Sequence, residues 1–262
     1  MLQSPSARIT NPALSPTDSI HAAFTEIMQV FNTSPAISFL QSGGFRLDHY
    51  KSVLREIYHY TKEDPQLQAL AAVYFRGSDR QCVKLFLRHA IAEVGHDLMA
   101  LEDLKHMGEN AGQVFTENPL PATTALTAFP FYWVNFQNPI GYLGYLFFLE
   151  HMPTQHGAIY AAALKQAGVP EAAMGFLQEH MHADVGHNKL MQQYLDRLVH
   201  DQRDADAVIY SMRVTAELYA NMLWSAIQRV GQSVDFGTSW TEMARLRSAG
   251  QVSPVSVEEV VS

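Results

Sequence analysis

The chain has 262 residues, of which 47% are hydrophobic and 17% charged, and its formal net charge is −8. This composition excludes a disordered or fibrous protein, and the negative charge argues against nucleic acid as the main partner. The single cysteine, Cys82, excludes an internal disulfide and a cysteine-rich metal site, so any metal would be held by histidines and carboxylates.

Helical periodicity runs through most of the chain. No segment shows sustained strand alternation, and Gly, Pro and Asn clusters separate the helical segments. The pattern predicts one all-α domain over 18–235, a single-domain bundle of seven or eight helices. A flexible Ser/Pro-rich arm over 1–17 and a loosely packed tail over 236–262 are expected to flank it. The predicted helical segments are 18–32, 47–60, 65–75, 79–107, 139–150, 157–166, 170–198 and 204–229.

The longest apolar run is PIGYLGYLFFLEHMP, residues 139–153. It is too short to span a bilayer, and the first residues lack the apolar core of a signal peptide. We therefore expect a cytoplasmic protein without membrane insertion. Pro153 is expected to bend or end the helix that carries this run.

Histidines cluster in EHMHADVGHNKLM, residues 179–191. On a helical wheel, His180, Asp184 and His187 fall on the apolar side, whereas His182 falls on the polar side. A lone inward histidine is more often a core imidazole bonded to a carbonyl. Three inward polar groups on consecutive turns need partners, because their unpaired burial would cost several kcal/mol.

Two further segments turn polar groups inward. In the segment 79–107, His89, Glu93 and His96 share a face with apolar residues, and Glu93-x-x-His96 is a spacing by which a helix offers a carboxylate and an imidazole to one metal. Glu150 is the only charged residue in GYLGYLFFLE, a segment that is apolar on every side. Such a glutamate must be protonated, ion-paired or bound to a cation.

Together these segments supply three carboxylates and three imidazoles from three helices. Nitrogen and oxygen donors without thiolate suit iron or manganese, with zinc possible. Six donors exceed what one catalytic ion with open positions needs, so the number favours two irons bridged by carboxylates. The candidate ligands are Glu93, His96, Glu150, His180, Asp184 and His187.

A ferritin-like pattern arises from a second E-x-x-H pair, Glu179 and His182. With Glu56, Glu93, His96 and Glu150, this pair would imitate the ligand pattern of ferritin-like iron oxidases. The wheel argues against this interpretation, because it places Glu179 and His182 on the polar side of their helix.

In order along the chain, HAIAEVGHDLMALEDL, the Glu after GYLGYLFFL and HMHADVGH resemble the haem-oxygenase-like di-iron oxidases and oxygenases, a branch of the TenA/PqqC superfamily. The resemblance spans roughly residues 45–225. It implies that Glu93, His96, Glu150, His180, Asp184 and His187 bind two irons, which can be lost during purification. It also implies O₂ as co-substrate and a small organic substrate that is fatty-acid-like, amino-acid-like or a biosynthetic intermediate.

The chain departs from one version of the family pattern. Some members place a carboxylate seven residues before the first-helix histidine, where this chain has His89. Others use the E-x-x-H carboxylate and add a glutamate from an earlier helix, for which Glu56 is the candidate. We assign His89 to orienting a ligand or to an alternative ligand position.

Metal-free members of the same superfamily suggest two further functions, those of a thiaminase-like TenA hydrolase and of a PqqC-like cofactorless oxidase. The hydrolases use a cysteine on the middle helix, where this chain has none, and Cys82 lies on another helix. Glu217 is a possible acid/base residue, although Arg213 one turn earlier offers an ion-pair explanation. Tyr142, Tyr145, Phe147, Phe148 and Trp224 either line a substrate pocket or are plain core. We expect a homodimer.

Overall fold

The computed structural model describes residues 14–231, apart from the side chains of residues 183–185. Every regular element in this part of the chain is helical, so the predicted all-α, single-domain fold is confirmed. The helices are α1 (Pro16–Phe31), α2 (Pro35–Gln41), α3 (Leu47–Thr61), α4 (Asp64–Ala72), α5 (Val83–Glu93), α6 (His96–His106), α7 (Ala111–Val114), α8 (Pro121–Phe136), α9 (Tyr142–Gln166), α10 (Gly175–Leu198) and α11 (Gln202–Arg229).

Helix α9 forms the centre of the bundle. Its first half is apolar all round, and α10 and α11 pack along it. A Cβ at Gly144 would lie 2.1 Å from the backbone oxygen of Val208, so only glycine lets α9 and α11 approach this closely. This close contact fixes the position of α9 along its axis, and with it the position of Glu150 relative to the neighbouring helices.

Helix α10 is anchored by a carboxylate from a different helix. The Oδ1 and Oδ2 atoms of Asp103, on α6, accept hydrogen bonds from the backbone N–H groups of Gly175 and Phe176, each at 2.9 Å. These amides have no acceptor within the first turn of α10, so the buried Asp103 side chain supplies one. This cap sets where the histidine-bearing helix begins relative to α6.

Two boundary predictions were wrong. The helix that carries Glu150 was expected over 139–150 but continues past Pro153 to Gln166, because packing against α10 and α11 outweighs the one backbone hydrogen bond that proline removes. The expected single helix over 79–107 starts as a 3₁₀ turn, Gly77–Cys82, and breaks between Glu93 and His96.

Three helices, α2, α7 and α8, lie where the sequence was interpreted as loops. Helices α2 and α8 both begin with proline at the first helical position, where the missing N–H costs no helical bond. Helix α8 also contains Pro130 in its interior. The prolines that suggested loops therefore mark helix starts in both cases, and the bundle has more helices than predicted.

The predicted arm and tail lie mostly outside the described part of the chain. Residues 1–13 and 232–262 are not described, and α1 begins at Pro16, two residues before the expected domain start. Between residues 14 and 231, no helix combines the length and apolarity needed to cross a bilayer.

Candidate metal centre

The break between α5 and α6 separates two of the predicted ligands. Glu93 is the last residue of α5 and His96 the first of α6, and Gly95 between them has φ +99°, a conformation that glycine adopts without strain. The helical interpretation of the E-x-x-H spacing is therefore wrong at this point. The two side chains nevertheless meet, with Nδ1 of His96 2.8 Å from Oε2 of Glu93.

A first donor group brings together His89, Glu93, Glu150 and His187, with one donor atom from each within 4.8 Å of the others. Nε2 of His89 lies 2.9 Å from Oε1 of Glu150 and 3.3 Å from Oε1 of Glu93. Nδ1 of His187 lies 3.0 Å from Oε2 of Glu150. Helices α5, α9 and α10 thus converge on one point inside the bundle.

A second donor group consists of Glu93, His96 and His180, again within 4.8 Å of one another. The rings of His96 and His180 lie edge to face with centroids 4.9 Å apart. Nδ1 of His180 lies 2.7 Å from the carbonyl oxygen of Phe176, and since a carbonyl only accepts, this nitrogen donates. Nε2 of the neutral ring is then free to bind a metal. Because Glu93 belongs to both groups, its two carboxylate oxygens can serve adjacent ions.

Five of the six predicted ligands come together in these groups, namely Glu93, His96, Glu150, His180 and His187. Asp184 is the sixth, and its side chain lies outside the described part of the structure. Glu179 and His182 are exposed, so the pair that the ferritin-like interpretation requires faces away from the groups.

The two residues of uncertain role differ in position. His89, only 1% exposed, lies in the first donor group itself. Glu56 is fully buried but belongs to neither group. Its Oε2 accepts hydrogen bonds from the Leu120 N–H at 3.0 Å and the Thr123 hydroxyl at 2.5 Å, and its Oε1 lies 3.5 Å from Arg229. Glu56 thus joins α3 to the start of α8 and the end of α11.

The acidic and basic groups of the centre stabilise each other's charge. Burial opposes ionisation of Glu93, but hydrogen bonds from His89 and His96 outweigh it and lower the pKa of Glu93 to about 2. The pKa of Glu150 is also well below its usual range, because hydrogen bonds from His187 and His89 outweigh burial. Against burial, the same carboxylates raise the pKa of His89 to about 9. The metal-free centre therefore holds ionised carboxylates and a protonated His89, which would release its proton if it bound a metal.

A cavity of about 140 Å³ adjoins the centre and is lined by Glu93, Glu150 and His180 at that end. Most of its remaining wall is apolar. Of the aromatic residues considered from sequence, only Tyr145 lines it; Tyr142, Phe147 and Phe148 are fully buried core, and Trp224 packs against that core.

One carboxylate of the cavity wall was not predicted from the sequence. Asp64, the first residue of α4, lines the cavity, and its Oδ1 accepts a hydrogen bond from the Tyr145 hydroxyl at 2.8 Å. Burial, followed by the charge of Glu93, raises the pKa of Asp64 well above its usual range. The sequence offers no signal for this position, because an aspartate before a proline at a helix start is an ordinary surface motif.

The residues considered for metal-free chemistry lie elsewhere. Cys82 is buried, does not line the cavity, and has a pKa that burial raises, which disfavours the reactive thiolate. Glu217 is exposed. Arg213 lies 3.6 Å from Glu26 on α1, so the expected pairing with Glu217 is replaced by a contact between helices.

The donor set fits a pair of metal ions. Imidazole nitrogens and carboxylate oxygens without thiolate are the ligands of non-haem iron and of manganese. The two groups offer four and three donors, with one glutamate in common. The cavity next to them has a mostly apolar wall.

Comparisons with known proteins agree with this architecture. Residues 51–220 match the model of a family described as iron-containing redox enzymes. A domain of unknown function with a haem-oxygenase-like fold from Shewanella denitrificans is 25% identical, with a TM-score of 0.75 over 85% of this chain and 97% of the other. No protein of curated function matches the sequence.

Two more distant structures share the fold alone. A TenA homologue from P. horikoshii is 12% identical, with a TM-score of 0.67 over 82% of this chain and 99% of the other. A haem oxygenase from Leptospira interrogans is 15% identical, with a TM-score of 0.57 over 81% of this chain and 100% of the other.

Proposed function

Because the chain belongs to the family of iron-containing redox enzymes, we propose that it is a non-haem di-iron enzyme that uses O₂ to oxidise a small organic substrate. The observation that carries this proposal is the pair of donor groups that share Glu93 at the end of an apolar cavity. One group alone would suit a single ion. Two groups with a common carboxylate favour two ions side by side.

In this proposal, His89, Glu93, Glu150 and His187 hold one ion, and Glu93, His96 and His180 hold the other. Asp184, which the His-x3-Asp-x2-His spacing places between His180 and His187, is proposed as a further ligand from the sequence. Glu56 has buried partners of its own and is not included. The bound irons would supply the electrons that reduce O₂.

The protein's own contribution is to hold these donors in place. Asp103 fixes the start of α10, the bond from His180 to Phe176 fixes the ring orientation, and the packing of α9 fixes Glu150. Such support holds ligands in a productive geometry before any metal arrives. The mostly apolar cavity wall would hold the apolar part of a substrate beside these donors.

Anaerobic titration with ferrous iron tests the proposal. We expect the wild-type chain to bind two irons, and the reduced, loaded protein to develop a transient absorbance on exposure to O₂. His187→Ala should lower the iron content and abolish the absorbance, because it removes a donor beside two carboxylates. His182→Ala, on the exposed side of the same helix, should change neither.

Two outcomes would contradict the proposal. Wild-type protein that binds no iron under anaerobic titration would leave a metal-free enzyme as the better interpretation. Equal loss of iron in His187→Ala and His182→Ala would show that the donor groups are assigned to the wrong face of α10.

A further inference from the structure

Two polar side chains one turn apart on α4 interrupt the apolar wall of the cavity. Asp64 and Gln68 both line it, and Gln68 is only 1% exposed. Neither the amide nitrogen nor the amide oxygen of Gln68 has a hydrogen-bond partner among the described residues. Buried amides are almost always paired in folded proteins, and one that faces a cavity unpaired indicates a missing partner.

Asp64 lies at the same place without a cationic partner. The neutral Tyr145 hydroxyl is its hydrogen-bond donor, and within residues 14–231 no lysine, arginine or histidine forms an ion pair with it. The described residues that line the cavity include no lysine or arginine. Partial burial favours the protonated form of Asp64 while no cation is near, and a cation brought from outside would stabilise its ionised form.

A metal ion is not the partner that this geometry favours for Asp64. Neither donor group includes an Asp64 oxygen, although both groups use the neighbouring Glu93. Asp64 and Gln68 instead offer a carboxylate and an amide oxygen, which together accept hydrogen bonds from an ammonium group.

The remaining wall and the volume of the cavity indicate the polarity and size of the rest of the ligand. Its wall away from α4 consists largely of aliphatic and aromatic side chains, including Ile37, Leu40, Phe45, Leu223 and Ile227. A cavity of about 140 Å³ is close to the size that holds a benzene molecule in an engineered apolar cavity. The ligand that fits has one cationic head and a small apolar body.

We propose that the cavity binds a primary amine, with its ammonium group held between the Asp64 carboxylate and the Gln68 amide oxygen and its apolar body along the aliphatic wall. That this amine is the substrate rests on the proposed function; that it binds does not. A carboxylate ligand of the same length would face Asp64 in a wall whose described residues include no lysine or arginine. An alcohol would bring no cation to Asp64.

Isothermal titration calorimetry with hexylamine, hexanol and hexanoate on the full chain tests the proposal, on metal-free and on iron-loaded protein. We expect hexylamine to bind at least about tenfold more tightly than the other two, as a hydrogen-bonded charge pair predicts. Asp64→Asn keeps the side-chain shape and should remove this preference. Gln68→Met should weaken hexylamine binding, whereas Gln66→Met, at an exposed position on the same helix, should not.

The outcomes separate this proposal from the proposed function. Equal binding of the three probes to wild-type protein overturns it, even if no Asp64 variant folds. Unchanged hexylamine binding in a folded Asp64→Asn protein also overturns it, and a simultaneous loss of iron would assign Asp64 to the metal. The preference for hexylamine is measurable on metal-free protein. A failure to bind iron would therefore contradict the di-iron proposal but not the amine proposal.

Discussion

Nε2 of His89 lies 2.9 Å from Oε1 of Glu150, so an imidazole of α5 contacts the carboxylate of α9 at the middle of the bundle. The His89 ring is also 4.5 Å from the ring of His187 on α10, centroid to centroid. One buried side chain therefore links three helices. His89 can bind a metal or orient Glu150, and in both cases its removal should lower the metal affinity of the centre.

We expect His89→Gln to lower the affinity for ferrous iron by at least about 10-fold, since loss of a side chain that only orients a ligand usually costs about 10- to 100-fold. Competition with a chelator under anaerobic conditions measures this affinity. His106→Gln, at an exposed position on α6, is the matched control and should bind iron like the wild type. Unchanged affinity in His89→Gln would make His89 a core imidazole and no part of the centre.

The Asp103 cap is expected to contribute more stability than an exposed cap of the same type. Asp201 caps α11 by accepting from the N–H groups of Arg203 and Asp204 at the surface. Asp201→Ala should cost about 1 kcal/mol. Asp103→Ala should cost about 2 kcal/mol or more, because it leaves two amides of α10 without an acceptor inside the fold. Urea denaturation compares the two, and equal costs would contradict the structure.

Gly144→Ala should destabilise the protein by about 3 kcal/mol, at the upper end of overpacking effects, because the added Cβ meets backbone atoms of α11 that cannot rotate away. Gly186→Ala is the matched control. A Cβ there would have no neighbour within 4 Å, so alanine should stabilise α10 by about 0.5–1 kcal/mol. Thermal unfolding of the two variants gives opposite shifts in Tm if the packing of α9 on α11 is as described.

Because His59 is buried and has a lowered pKa, we expect the protein to lose stability in mild acid. It is 3% exposed, neither ring nitrogen has a partner among the described residues, and burial lowers its pKa from 6.5 to about 4. The unfolded chain therefore binds a proton between these values that the folded protein does not. Its contribution is complete above pH 6.5 and declines as pH falls toward 4, by about 1.4 kcal/mol per pH unit.

The measurement is the free energy of unfolding at several pH values between 7 and 4.5. His59→Gln should remove the His59 contribution to the slope, while exposed His106→Gln should keep the wild-type slope. Parallel curves for wild type and His59→Gln would show that His59 takes up its proton as readily in the fold as in the unfolded chain.

Helical periodicity predicted the fold class because burying an apolar face dominates the stability of helices in a bundle. The same periodicity explains why the wheel grouped His89, Glu93 and His96, since residues three or four apart stay close even where α5 gives way to α6. Prolines led to wrong predictions of helix boundaries. Pro121 begins a helix and Pro153 lies inside one, and the difference depends on neighbouring helices that the local sequence does not reveal.

Asp64 shows the limit of sequence patterns at the site. Its role depends on Tyr145, a residue of a distant helix, and on the cavity between α3, α4 and α9. The sequence pattern of the segment around α4 does not predict that cavity. Glu56 shows the converse, since its partners on α8 and α11 satisfy a buried carboxylate that the sequence alone suggested for metal.

The sharing of Glu93 by both donor groups has a consequence for unfolding. Residues 89–96 lie in one stretch of the chain, while Glu150, His180 and His187 follow much later. Ions bound at both groups would act as a cross-link that closes long loops, and such a constraint lowers the entropy of the unfolded chain. The loaded protein should therefore resist heat and proteolysis far longer than the metal-free one, and chelators should shorten its lifetime as reductants do for a disulfide-bonded protein.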